Sequence, residues 1–313
     1  MLKDSLLGFF VLTFFLLCWN PTPIRADDSP EPTHIRGNGS HPIHEWPHPT
    51  PDTHHDAATP EVIEFGYGQD DPKGPQHWGD LKKEWSLCKE GKRQSPIEIW
   101  EKNASKDITS SDDLVVSYKP ANATIKNEEH AISVLFEGDA GSIRVNGTDY
   151  FLKQCHWHHP SEHIVNGRRH DLELHMVHKT KDMSKVAVIG FLYRLGAPNS
   201  FLTKVTSQIT SLIGVQKGIP LGMTDPRRVK KAHFQKNMGK PKKAGSKFFR
   251  YMGSLTTPPC VEEVIWHLNK KVQSASPAQV ELLQDAVFDF ARNNARPIQP
   301  LNGRGYKLYG DYH

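Results

Sequence analysis

From Glu64 onward the chain consists of short runs of β-branched and aromatic residues, each cut off by Gly, Asn, Asp or Pro. The runs at 114–118 (LVVSY), 131–136, 142–145, 150–158, 172–178, 186–195 and 264–268 have the length of strands, and the residues between them are those of turns. Such a pattern excludes a helical bundle and predicts a sheet-dominated domain. One helix stands out late. Ser276, Pro277 and Gln279 supply the cap, first-turn proline and third-turn-position partner of a capping box, and Val280, Leu283, Val287 and Phe290 follow at helical spacing. A weaker helical pattern covers 201–209, and no internal repeat is visible.

The 313 residues are 37% hydrophobic, which is enough for a sizeable core and too much for a disordered chain. One domain with appendages is expected, because mixed folds use about 200–250 residues as a single unit. With 39 basic against 35 acidic residues the net charge is only +4, so nothing points to a nucleic-acid or acidic partner.

At the N-terminus, Lys3 precedes an apolar run over 6–19, followed by Asn20-Pro21 and the small residue Ala26. Residues 1–26 therefore read as a secretory signal peptide. The run is shorter than the roughly 20 residues a bilayer span needs, so a mature chain without a membrane span is expected. Residues 27–60 turn to Pro, His, Asp and Thr, with six histidines at 34, 41, 44, 48, 54 and 55. They read as a disordered tail able to bind transition metals loosely, with the folded domain over 61–313. A basic stretch over 227–250 reads as a solvated loop ahead of a docking patch for a polyanion or membrane. Asn38, Asn103, Asn122 and Asn146 head glycosylation sequons.

Once Cys18 leaves with the leader, three cysteines remain, which in an oxidising compartment allows one bridge and one leftover thiol. Cys88 and Cys260 both lie in turn-like segments and are paired here; Cys155, in mid-strand, is expected to be a buried small hydrophobe.

The 18 histidines are the anomaly of the composition. Residues 154–178 read QCHWHHPSEHIVNGRRHDLELHMVH. Strand side chains alternate between faces, so Gln154, His156 and His158 share one face and Cys155 and Trp157 the other. Pro160 and Asn166-Gly167 return the chain as a second strand on which Glu173, His175 and Val177 share a face. If the register brings His175 opposite the first pair, three neutral imidazoles can hold Zn²⁺ and leave a fourth position for water, the catalytic arrangement. Gln154 and Glu173 each sit two residues before a proposed ligand, placed to accept from its other ring nitrogen; a carboxylate in a strand core without such a role would be costly. His159, His163, His170 and His178 fall on the wrong face or in the turn and are left out as ligands.

Beyond the histidines, Phe65-Gly66-Tyr67, GPQHWGDL, RQSPIEI, QCHWH, SEH, ELHMVH, YMGSLTTPPC and Arg296-Pro297 occur in order along almost the whole globular part. In these motifs the chain resembles the α-class carbonic anhydrases, most closely secreted plant-type members. The resemblance implies a mainly β, α+β single domain around a large twisted, mostly antiparallel sheet with a few peripheral helices. It implies zinc on His156, His158 and His175, supported by Gln154 and Glu173, and reversible hydration of carbon dioxide to bicarbonate and a proton by a zinc hydroxide.

Thr256 matches a residue that orients this hydroxide by donating to Glu162. The chemistry is consistent: an ionised carboxylate only accepts, so a threonine bonded to it has spent its one proton. His130, in KNEEHAIS, matches the proton shuttle, a role that suits a group titrating near neutrality. Val177, Val188, Leu255, Val264 and Trp266 match the apolar pocket for carbon dioxide, and Tyr67 matches a residue of the water network. The implied partners are small molecules (carbon dioxide, bicarbonate and water) and the implied location is extracellular, in the apoplast, or a plastid reached through the secretory route. A silent relative acting in storage or binding is the rival; such relatives typically lose a zinc histidine, and here all three remain. Cys155, His159 and the long basic 227–250 stretch depart from the family pattern.

Overall fold

The computed structural model describes residues 64–107, 114–229, 242–243 and 247–310. The leader, the tail with Asn38, and most of the basic 227–250 stretch lie outside them.

The strands that matter here are β1 (Leu114–Tyr118), β2 (Ala121–Asn127), β3 (Ile132–Phe136), β4 (Gly141–Val145), β5 (Thr148–His158), β6 (Leu172–Lys179), β7 (Val186–Leu195), β8 (Gly218–Thr224), β9 (Phe248–Ser254), β10 (Glu262–Ala275) and β11 (Lys307–Tyr309). Together with Ser105–Asp107 and Lys242–Lys243 they form, among the described residues, one 13-stranded sheet in the order β8-β2-β3-β5-β6-β7-β10-β9-β11, closed at one edge by Ser105–Asp107, while β4 joins β5 to β1 and Lys242–Lys243 pairs with β1. Neighbours run antiparallel except β7 with β10 and β11 with Ser105–Asp107. A second, three-stranded sheet joins Glu98–Ile99, Ile164–Val165 and Arg168–Arg169.

Alternation along the strands sorts side chains into two apolar clusters, one on each face. The rear cluster takes Val134, Cys155, Trp157, Leu174, Met176, Ile189 and Phe191; the front one takes Val177, Val188, Phe249, Val264, Trp266 and Leu268. Each fully buried large apolar side chain contributes about 1.5–3 kcal/mol. Cys155 is thus the buried hydrophobe its position predicts, and it is not in a disulfide.

One irregularity sets the site. Val177 of β6 pairs with Gln154, but the next residue, His178, pairs with Leu152, so Lys153 is an extra residue in β5. A bulge of this kind re-aims the strand beyond it. Leu152 points into the rear cluster, yet Gln154, two residues later, faces front with His156 and His158.

Helices pack on the rear. The capping box at Ser276 forms as expected, and α3 (Pro277–Ala286) buries Val280, Leu283 and Ala286. The helix ends sooner than its spacing predicts: Val287 is extended and the Phe288 N–H turns away to Glu129 O at 3.2 Å, leaving Phe290 in a short 3₁₀ turn. The 201–209 helix divides into α1 (Ser200–Lys204), capped by Asn199, and α2 (Thr206–Thr210), separated by Val205 at φ −104°, ψ 11°. Cys88 and Cys260, 172 residues apart, form a disulfide within a small cluster of Phe65, Trp78 and Trp85. Asn103, Asn122 and Asn146 are all exposed.

Candidate metal centre and active site

His156 on β5 lies directly across from His175 on β6, and His158 across from Glu173. The three imidazoles of His156, His158 and His175 stand 4.6 to 5.2 Å apart, centroid to centroid. Each ring is tied at one nitrogen. His156 Nδ1 meets Gln154 Oε1 at 2.9 Å, His158 Nδ1 meets the Asn294 carbonyl at 2.8 Å, and His175 Nε2 meets Glu173 Oε1 at 2.9 Å. Because all three acceptors are oxygens, the tied nitrogens carry the ring protons and the remaining nitrogens present lone pairs. Ligand atoms of the three rings lie within 4.8 Å of one another, and His158 Nε2 is buried with no hydrogen-bond partner among the described residues. Burial holds His156 well below the usual imidazole range, its histidine neighbours adding to the effect, and burial lowers His158 as well. Neutral imidazoles with converging lone pairs are the donor set that zinc takes, so the residues fit the ion.

Glu173 organises the inner side of this arrangement. Its Oε1 accepts from His175 and from His163 Nδ1 at 2.7 Å; its Oε2 accepts from the backbone N–H groups of Glu162 and His163, both at 2.9 Å. Burial opposes its charge, yet His163 and His175 hold the carboxyl well below the usual carboxylate range. His163, Glu173 and His175 also lie close enough to form a metal-binding group of their own. Here, however, the two rings are already engaged by the carboxylate, which makes them its support. His163 Nε2 continues to Tyr251 Oη at 2.7 Å, and Tyr251 to Ser95 Oγ at 2.8 Å. Gly190 of β7 pairs with His175, and a Cβ there would lie 2.8 Å from Leu268 Cδ1 and 3.1 Å from Glu173 Oε1. A side chain at this position would press on both the leucine and the carboxylate.

The other expected residues also gather here. Val177, Val188, Val264 and Trp266 share the front cluster with partly buried Leu255 against it, and the Trp266 ring is 4.8 Å from that of His175. Tyr67 Oη is buried with no hydrogen-bond partner among the described residues, and burial pushes its pKa well up. Thr256 is buried, but among the described residues no hydrogen bond joins it to Glu162. Glu162 Oε1 instead accepts the Arg296 N–H at 2.9 Å, while its Oε2 is buried and unpaired, 3.7 Å from His158 Nε2 and 3.9 Å from His175 Nδ1. The His130 ring stacks on Phe65 at 3.8 Å, with its nitrogens 3.2 Å from Glu128 O and 3.1 Å from Phe65 O; burial lowers its pKa.

Three contributors escaped the sequence reading. Asn294 supplies the carbonyl for His158 and also holds the backbone, donating from Nδ2 to His130 O at 2.7 Å and accepting the His159 N–H at 2.8 Å. A backbone acceptor far along the chain leaves no sequence signal. His163 reads as a turn residue, and Arg296, whose N–H binds Glu162, carries only its place in the Arg296-Pro297 motif.

A family model for eukaryotic-type carbonic anhydrase matches residues 73–307. The chain belongs to the α-class carbonic anhydrases. It is 44% identical over 257 residues to alpha carbonic anhydrase 4 of Arabidopsis thaliana, covering 82% of this chain and 90% of the relative. Among solved structures, dioscorin complexed with ascorbate aligns with TM-score 0.72 at 39% identity, covering 80% of this chain and 99% of the other. The enzyme of Thermovibrio ammonificans in complex with the inhibitor sulfanilamide aligns with TM-score 0.63 at 34% identity, covering 78% and 98%. The family hydrates carbon dioxide and is generally zinc-dependent.

Proposed function

We propose that this carbonic anhydrase holds one zinc ion on His156, His158 and His175 and interconverts carbon dioxide and bicarbonate beside the apolar wall of the front cluster. The observation that carries the reading is the trio of imidazoles, each fixed by a protein oxygen at one nitrogen and converging with the other. Zinc, when bound there, would supply Lewis acidity that lowers the pKa of a bound water to about 7, a magnitude established on carbonic anhydrase itself.

The remaining work falls to the chain. Val177, Val188, Leu255, Val264 and Trp266 offer carbon dioxide a surface without hydrogen-bonding groups, apart from a Trp266 N–H already spent on Ser254 O at 2.9 Å. Glu162 has one oxygen unpaired; Thr256, on donating its only proton to that oxygen, keeps lone pairs toward the attacking water and so aligns it. His130 accepts the proton once a ring nitrogen leaves its backbone carbonyl and passes it to buffer, and Tyr67 anchors water on the way.

Residues 1–26 serve as the leader into the secretory pathway, 27–60 as a tail and 61–313 as the catalytic domain, with Asn103, Asn122 and Asn146 open to glycosylation. The destination is extracellular, or a plastid by that route. Among the described residues no helix is long and apolar enough to cross a membrane.

The test is carbon dioxide hydration by purified mature protein with its metal content measured, beside His175→Ala. About one zinc per chain and sulfanilamide-sensitive activity, both lost in the variant, are expected. A wild type as slow as the variant replaces this reading with a storage or binding role.

A further inference from the structure

The turn between β2 and β3 carries Glu128, Glu129 and His130, and it is pinned from both sides. Buried Asn127 donates from Nδ2 to Leu212 O at 3.2 Å and Ala286 O at 2.7 Å, and its Oδ1 accepts the Glu129 N–H at 2.9 Å. The Glu128 N–H donates to Ala131 O at 3.0 Å, and Glu129 O accepts from Phe288. In this turn His130 has both ring nitrogens beside backbone carbonyls and its face on Phe65.

Glu128 is placed differently. Ser133, on β3, lies directly across from His156, so both side chains stand on the front face. Ser133 is 1% exposed, and its Oγ donates to Glu128 Oε2 at 2.9 Å, while Glu128 itself is exposed. A hydroxyl has one proton, and here the carboxylate takes it. Toward the metal centre Ser133 can therefore only accept. A water between Ser133 and the centre must donate to it, and every O–H along that row then points outward, from the histidines to a carboxylate in solvent.

We propose that Ser133 and Glu128 form a second exit for the proton released by hydration, distinct from the ring of His130; this rests on the function proposed above. In the step, the Ser133 O–H bond breaks as an O–H bond forms on Glu128, and Ser133 regains a proton from the cavity water behind it. Glu128 then loses its proton to a buffer base, which restores the carboxylate. Net, one proton moves from the cavity to the buffer and nothing is oxidised or reduced.

The experiment uses the full mature chain, zinc-loaded, with Glu128→Gln, Ser133→Ala, His130→Ala and the Glu128→Gln/His130→Ala pair. In dilute buffer, Glu128→Gln and Ser133→Ala are each expected to lower kcat about 10-fold, less than a sole proton carrier because His130 shares the work. Their kcat/KM should stay within about twofold, since proton exit follows release of bicarbonate. Concentrated imidazole buffer should restore kcat, and Glu128→Gln should lower kcat further in the His130→Ala background. Unchanged kcat in dilute buffer, or a loss shared by kcat/KM and indifferent to buffer, overturns the proposal. A readout independent of turnover is the carboxyl ¹³C chemical shift of Glu128 at fixed pH in wild type and Ser133→Ala, which reads the hydrogen bond between them. The resonance should move in Ser133→Ala, and one indifferent to the serine also overturns the proposal. Should the wild type itself fail to hydrate carbon dioxide, the proposed function fails first, and the resonance still decides whether Ser133 is bonded to Glu128.

Discussion

Glu173→Gln keeps the outline of the side chain and removes its charge and half of its acceptor capacity. The carboxylate receives four hydrogen bonds, two from imidazoles at Oε1 and two from backbone N–H groups at Oε2. An amide has one oxygen and one NH₂, so two of the four donors must face another donor. With NH₂ toward the backbone, two buried N–H groups go unpaired, and at about 1–3 kcal/mol each the loss of stability is about 2–6 kcal/mol. With NH₂ toward the rings, both imidazoles must switch tautomer to accept. His175 then carries its proton on Nδ1, the nitrogen needed for zinc, and affinity falls by about 10- to 100-fold. Stability or metal binding must therefore suffer. Urea unfolding of the metal-free protein, paired with zinc competition against a chelator, measures both. A variant within about 0.5 kcal/mol of wild type that also keeps its zinc affinity refutes the four-bond account of Glu173.

Three further outcomes are expected. Cys88→Ser/Cys260→Ser opens a loop of 172 residues and should lower stability by up to about 5 kcal/mol in calorimetry; an unchanged unfolding temperature would show that the bridge constrains little. Gly190→Val should drive a side chain against Leu268 and Glu173, costing about 1–3 kcal/mol and weakening zinc retention on dialysis, with retention at the wild-type level counting against the steric reading. His267 is held well below the usual imidazole range by burial first and by Arg250 and His178 next, so the unfolded chain takes up that proton before the folded one does. Its contribution is complete above about pH 6.5 and is lost as pH falls below it; the urea midpoint should drop on acidification less steeply in His267→Gln, and identical slopes would contradict this.

The sequence reading works best where burial on one face dictates alternation. β1 and β7 occupy the residues expected, 114–118 and 186–195, because their apolar residues leave one solution. β2 and β8 went unread: ANATIKN alternates, but through small Ala and turn-prone Asn that are weak strand formers, and GIPLGMT carries Gly and Pro; a neighbour supplies the ladder for each. At the site, His156, His158 and His175 were legible because strand parity and a short return loop constrain them. The Asn294 carbonyl and the His163-to-Tyr251 chain were not, since they join residues more than 80 positions apart through atoms whose role depends on placement. The bulge at Lys153 was invisible for a similar reason: only the register against β6 reveals the extra residue.

That extra residue switches the parity of β5 just ahead of its histidines. Removing Lys153 alone would give the strand an unbroken two-residue repeat in which Leu152 still faces the rear and Gln154, His156 and His158 still face the front. Removing Trp157 instead would set His156 and His158 on opposite faces and should abolish the centre more completely than the loss of any single ligand. Anyone grafting these histidines onto another sheet would have to keep the single residue between them and could leave the irregular step behind.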